Sequence, residues 1–163
     1  MKRILVAAIL TVALAAVSGP ALGSSSSTQT VTYEVQVINE ISVSGNPAPL
    51  IVSAATAGSQ PNSVTDATTT YAVTTNESNK KITGAIDTAM PSGVTLTVNL
   101  AAPTGANSAG AVTLTALAAD LVTGISTLAE SGLTITYTLS ATVTAGVVAS
   151  ANKTVTFTII DGV

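Results

Sequence analysis

The stretch that decides the fold is Leu133-Thr134-Ile135-Thr136-Tyr137-Thr138-Leu139-Ser140-Ala141-Thr142-Val143. Apolar and hydroxyl side chains alternate at every residue, which is the period of a β-strand with one buried face. The same alternation returns in three shorter segments, Val94 to Leu100, Val112 to Ala116 and Thr154 to Ile159. Most of the chain is therefore scaffold, and few residues are left for chemistry.

Short strands divided by Gly, Pro and Asn turns, with no amphipathic helix of useful length, are typical of two packed sheets. The sequence predicts an all-β, antiparallel β-sandwich (Ig-like or jelly-roll-like) of about eight or nine strands, with a closed barrel as the alternative. Two hairpins are expected, and the other local expectations are a short strand, a loop and a bent strand. The expected hairpins pair Tyr71–Thr75 with Lys81–Ile86 and Leu133–Val143 with Thr154–Ile160. The short strand is Leu50–Val52, the loop is Ala57–Thr70, and the bent strand lies within Leu117–Ile125.

The first residues have the parts of a secretory signal peptide. Met1-Lys2-Arg3 precedes an apolar run of about 14 residues, and small residues follow at Ala21 and Gly23. We predict a signal peptide over residues 1–23, with Ser18 as the second choice of cleavage site. The alternative is a membrane anchor, but the run is shorter than the roughly 20 residues that span a bilayer. The mature protein is expected to be secreted, extracellular or at the cell surface, with no membrane contact after cleavage.

The composition of the mature chain excludes several kinds of partner and stabilisation. Three lysines remain against eight acidic residues, which gives a net charge of −5. Nucleic-acid binding requires clustered Lys and Arg, so we expect none. The chain has no cysteine, so an exported protein that could use disulfides does without them. Stability must come from packing, from backbone hydrogen bonds or from association with neighbours.

The chain also lacks the residues of the common catalytic sites. Histidine and cysteine are absent, which excludes Ser-His-Asp and Cys-His mechanisms and tetrahedral zinc sites built from His and Cys. Paired carboxylates could in principle cleave glycosides, but the acidic residues are scattered singly through loops. We therefore expect no enzymatic activity, no catalytic residue and no cofactor.

Metal binding and covalent crosslinking are weaker possibilities. Asp66, Asp87 and Asp120 could offer hard oxygen ligands to calcium, but they form no ligand-spaced run, and no metal site is predicted. One of the three lysines, Lys80, Lys81 or Lys153, could form an isopeptide crosslink with an asparagine near a carboxylate. Nothing in the spacing along the chain favours it.

Two triplets fit the acceptor pattern of N-glycosylation. They begin at Asn76 and Asn152, and both lie in predicted turns. Such triplets also arise by chance in a threonine-rich chain, so both interpretations stay open.

The N-terminal part of the mature chain, residues 24–38, carries the candidate interaction site. A run of four serines, Ser24 to Ser27, is followed by the alternating segment Thr30–Val37, hereafter the donor segment. Its apolar side chains are Val31, Tyr33, Val35 and Val37. The segment is either the first strand of its own sheet or a strand that inserts into a neighbouring subunit, and both uses require the same alternation. The remaining residues, 39–163, are assigned to the sandwich domain.

Taken together, these features resemble the subunits of donor-strand-exchange fibres, which include chaperone–usher-type pilins and camelysin-like biofilm fibre proteins. The resemblance is one of pattern, carried by Thr30–Val37 and by the closing Thr154–Ile159. It implies a structural subunit of an extracellular filament, a pilus or biofilm-matrix fibre, that polymerises with copies of itself. The alternative is a monomeric secreted or surface module that binds carbohydrate or protein through its loops.

Overall fold

A computed structural model of the chain describes residues 25–163, so the signal peptide predicted over residues 1–23 lies outside the described residues. The described residues divide into two units, with the boundary between Glu34 and Val35. Every strand of the described part lies in the second unit. The strands are β1 (Asn39–Val43), β2 (Val64–Thr75), β3 (Lys80–Ile86), β4 (Val94–Leu100), β5 (Asn107–Ser108), β6 (Val112–Thr113), β7 (Ala119–Ile125), β8 (Leu128–Ala141) and β9 (Val155–Asp161).

The strands form two antiparallel sheets. Sheet 1 has the order β1-β2-β8-β4-β6, and sheet 2 has the order β5-β7-β3-β9. Within residues 25–163 the only helical element is a single 3-10 turn, Val143–Ala145. The predicted all-β, sandwich-like architecture with antiparallel sheets is confirmed.

The alternation of the sequence sets which face of each strand is buried. In sheet 1, β4 and β8 align Leu96 with Leu139, Val98 with Tyr137 and Leu100 with Ile135. These apolar side chains point to one side of the sheet, while the threonines between them point to the other. The inward residues of both sheets form one core of buried side chains: Tyr71, Val73, Ile82, Ile86, Leu96, Val98, Leu100, Leu114, Leu121, Val122, Ile125, Leu133, Ile135 and Tyr137.

Both predicted hairpins are wrong, because their strands lie in different sheets. β2 belongs to sheet 1 and β3 to sheet 2, so the turn at residues 76–79 crosses between the sheets. The same holds for β8 and β9. Alternation specifies which side of a strand is buried, but it does not specify the strand that lies beside it. In sheet 1 both edges of β8 are already occupied, by β2 and β4.

Two further local expectations are wrong and one is confirmed. The predicted loop Ala57–Thr70 contains the first half of β2, which begins at Val64. The predicted strand Leu50–Val52 lies outside both sheets, after two prolines that cannot donate to a ladder. Leu50 instead packs against the core. The bent strand predicted within Leu117–Ile125 is β7, and Gly124 has a φ of 74°, a conformation that favours glycine.

Candidate functional site

The donor segment exposes its apolar stripe. Residues 30–37 belong to neither sheet, so the segment does not form the first strand of its own sandwich. Val31, Tyr33, Val35 and Val37 are 73%, 89%, 78% and 67% exposed, respectively. Single exposed apolar residues are ordinary on protein surfaces, but these four lie at alternate positions of one segment and form an apolar stripe.

Asn76 holds the end of this segment next to β1. Its side-chain Nδ2 donates to the carbonyl oxygen of Gln36 at 2.7 Å. Its Oδ1 accepts from the amide of Ile38 at 2.8 Å, and its own backbone N donates to the Ile38 oxygen at 3.2 Å. The amide nitrogen that a glycan would modify is therefore already used in the fold. Asn152, the other glycosylation candidate, is exposed.

Sheet 2 ends in an open edge at β9. β9 pairs with β3 along its whole length, from Val155 opposite Ile86 to Asp161 opposite Lys80. In the part of the chain that the structure describes, the other edge of β9 has no strand beside it. The inward side chains Val155, Phe157 and Ile159 are only half-buried. β9 thus offers unpaired backbone groups and an apolar stripe with the same two-residue spacing as the donor segment.

Sheet 1 has an incompletely covered edge as well. β1 pairs only with residues Tyr71–Thr75 of the 12-residue strand β2. The chain leaves β2 after Ser44, whose backbone N donates to the Thr70 oxygen at 2.9 Å. The outer edge of residues 64–69 of β2 has no ladder partner within residues 25–163.

A groove of about 820 Å³ opens at the end of the sandwich where β4 begins and β8 ends. Inward residues of sheet 1, Val94, Leu139 and Ala141, line it together with residues 50–55 and the small residues of 145–151. Lys153 is the one charged residue of its lining. The rest of the lining consists of apolar residues, glycine and a few small hydroxyl residues.

A polar cluster lies between the sheets at the Lys80 end of β3. Lys80 is buried and its Nζ contacts Glu77 Oε2 at 2.6 Å and also the Asp161 carboxylate. The same Glu77 oxygen accepts from Asn39 Nδ2 at 2.6 Å, and Asn39 Oδ1 accepts from Thr75 Oγ1 at 2.7 Å. The hydrogen bonds from Lys80 and Asn39 hold the pKa of Glu77 below its usual value. Those to Asp161 and Glu77 raise the pKa of Lys80.

The acidic residues considered for calcium are dispersed. Asp66 accepts from the amide and hydroxyl of Thr68, Asp87 accepts from the amide of Thr154, and Asp120 pairs with Lys81 at 3.0 Å. Among residues 25–163, no three His, Cys, Asp or Glu side chains come together as metal ligands. Over the same range, no helix has the length and apolar character to cross a membrane.

Sequence reasoning singled out residues 30–37 for their alternation but missed the polar cluster and the position of the open edges. Comparison with known proteins adds no assignment, since no family model, curated protein or solved structure matches this chain.

Proposed function

We propose that this protein is an exported structural subunit of an extracellular filament, and that it polymerises by donating residues 30–37 to a neighbouring subunit. The observation that carries the proposal is the exposed apolar stripe of the donor segment, which belongs to neither sheet. Export follows from the signal peptide proposed for residues 1–23. We interpret the two sheets as an Ig-like or jelly-roll-like sandwich that receives the donated strand.

The receiving surface in this proposal is the open edge of β9. A strand added there gains backbone hydrogen bonds along Val155–Asp161, and its inward side chains meet the half-buried stripe of Val155, Phe157 and Ile159. The neighbouring groove of about 820 Å³ accepts apolar side chains at one end of that edge. Because donor and acceptor are different patches of one chain, the contact is head-to-tail and continues into an open filament.

The free energy gained by burying the donor segment and the cost of ordering it are similar in size, so the acceptor edge must already be folded before the segment binds. Burying four apolar side chains contributes roughly 6–12 kcal/mol at about 1.5–3 kcal/mol each. Ordering the backbone of the donor segment costs about 1–2 kcal/mol per residue. Ladder hydrogen bonds then decide the sign, and they cost little at an edge that is already in place. β9 meets this requirement, because its pairing with β3 extends over all of its residues.

Electron microscopy of the purified mature protein and of a variant without residues 24–37 tests the proposal. We expect regular filaments from the mature protein and monomers from the deletion variant. An added peptide of residues 30–37 should bind the deletion variant and raise its unfolding temperature. Filaments formed by the deletion variant would overturn the choice of donor. A mature protein that stays monomeric at high concentration would favour the alternative, a monomeric surface module that binds carbohydrate or protein through its loops.

Introduced cysteines test the acceptor edge, because the chain has none of its own. Thr32→Cys on the donor segment is mixed with Thr158→Cys on β9, and oxidation should give a disulfide between subunits. Thr136→Cys, in the centre of sheet 1, is the matched control and should give none. Crosslinking to the control position with none to β9 would move the acceptor site away from β9.

A further inference from the structure

The polar cluster lies within an otherwise aliphatic sandwich, and its side chains come from both sheets. Lys80 is in phase with the inward residues Ile82 and Ile86 of β3, and its side chain is only 8% exposed. Asn39 is in phase with Ile41, which packs against the core from β1. Residues of β1 and β3 thus face each other across the space between the sheets, and Glu77 lies between them.

We propose that Lys80 and Asn39 form an intramolecular isopeptide bond, with Glu77 as the acid–base group. The basis is a shared atom: Glu77 Oε2 lies 2.6 Å from the Lys80 Nζ and 2.6 Å from the Asn39 Nδ2. The attacking nitrogen and the leaving nitrogen therefore contact the same carboxylate oxygen, which can take a proton from one and give it to the other. This step is independent of filament formation.

The reaction balances without any further reactant. Glu77 takes a proton from the Lys80 ammonium, against the lowered pKa of Glu77 and the raised pKa of Lys80, and the neutral Nζ then attacks the Asn39 side-chain carbonyl carbon. In the tetrahedral intermediate, the carbon–Nδ2 bond breaks while Glu77 and the attacking nitrogen supply the protons that leave with it. The products are one amide bond between the side chains and one ammonium ion, the protonated form of ammonia.

The surroundings select these two partners from the alternatives. Asp161 also contacts Lys80, but its side chain is 85% exposed, so water stabilises its carboxylate against attack. Lys81 pairs with Asp120, whose side chain is 45% exposed, and Lys153 donates to the Ala89 oxygen at 3.0 Å in a loop. Of the three lysines among residues 25–163, only Lys80 is buried, and the Glu77 carboxylate that it contacts also contacts an asparagine amide.

Digestion of the purified mature protein with a glutamate-specific protease tests the bond. Cleavage after Glu34, Glu40, Glu77 and Glu130 places Asn39 in the peptide of residues 35–40 and Lys80 in that of residues 78–130. We expect one branched fragment that joins the two, with the mass of their sum less one ammonia. Release of peptide 35–40 at its unmodified mass would overturn the proposal. Loss of one water, with residues 131–163 joined to 78–130, would assign the bond to Asp161 and overturn the choice of Asn39.

Substitutions separate the roles of the residues. Lys80→Arg keeps a cation but cannot form the bond, and Glu77→Gln keeps the hydrogen bonds but cannot exchange the proton. Both should release peptide 35–40 unmodified, whereas Lys153→Arg, the matched control, should leave the branched fragment intact. A branched fragment that persists at full yield in Glu77→Gln would contradict the acid–base role. The wild-type digest decides the existence of the bond even where a variant fails to fold.

Discussion

Val35→Ala should weaken assembly while leaving the subunit as stable as before. The side chain is 78% exposed in the subunit, so almost all of its burial is gained when the donor segment enters a neighbour. The substitution removes two methyl groups worth about 0.8 kcal/mol each when fully buried, or about 1.2 kcal/mol after scaling by the exposed fraction of 78%. The critical concentration for polymerisation should therefore rise by about eightfold.

Sedimentation of polymer at increasing protein concentration measures this change, and urea unfolding of the monomer supplies the second readout. Thr32→Ala is the matched control. It lies on the opposite side of the donor segment and also loses β-propensity, so it reports the effect of alanine without the buried stripe. An equal shift in Thr32→Ala, or an unchanged critical concentration in Val35→Ala, would refute the assignment of Val35 to the buried face. A lowered urea midpoint would show that Val35 already packs within its own subunit.

Three further predictions concern the subunit itself. A Cβ on Gly84 would lie 2.6 Å from Leu121 Cδ1, so Gly84→Ala should lower the free energy of unfolding by about 1–3 kcal/mol and Leu121→Ala by about 2–5 kcal/mol. In urea unfolding, the double variant should lose less stability than the sum of the two single variants, and additive losses would contradict the contact. Burial raises the pKa of Tyr137 from 10.0 to about 12, so the folded state holds the phenol proton more tightly than the unfolded state. The free energy of unfolding therefore falls as the pH rises through this range, and Tyr137→Phe should reduce that fall in alkaline unfolding curves. Asn76→Ala removes two side-chain hydrogen bonds to residues 36–38 and should speed amide exchange of Ile38 while changing global stability by no more than about 1 kcal/mol; unchanged exchange would contradict the anchoring role.

The alternation of apolar and polar residues predicted strand positions well where one face of the strand is buried and the other is exposed. β4 lies at Val94–Leu100 as expected, and β9 is displaced by one residue from the predicted Thr154–Ile160. Pairing could not be predicted in the same way. Hairpins were expected from proximity along the chain, whereas β3 and β9 pair over their whole length although some 70 residues separate them.

The two candidate sites also differ in whether the sequence alone could reveal them. The stripe of the donor segment is a local pattern, and its alternation is visible without a fold. The polar cluster is not local, because Asn39 and Lys80 come together only after β1 and β3 are placed in facing sheets. One signal was present in the sequence: Lys80 has the inward phase of Ile82 and Ile86, where an aliphatic residue is expected. A charged residue at such a position requires partners nearby.

The two proposals meet at β3, which in the crosslinked subunit would connect the end of the donor segment to the proposed acceptor edge. In the proposed filament, a pull would enter a subunit through residues 37–38, reach Asn39, and leave through β9, the proposed acceptor of the next subunit's donor segment. Without a crosslink, Asn39 is held mainly by the five residue pairs between β1 and β2, and these are the weakest part of the path. A bond from Asn39 to Lys80 carries the pull directly into β3, whose seven residue pairs with β9 share it. In a chain without cysteine, a covalent link between Asn39 and Lys80 bypasses the shortest strand pairing on the path between donor and acceptor.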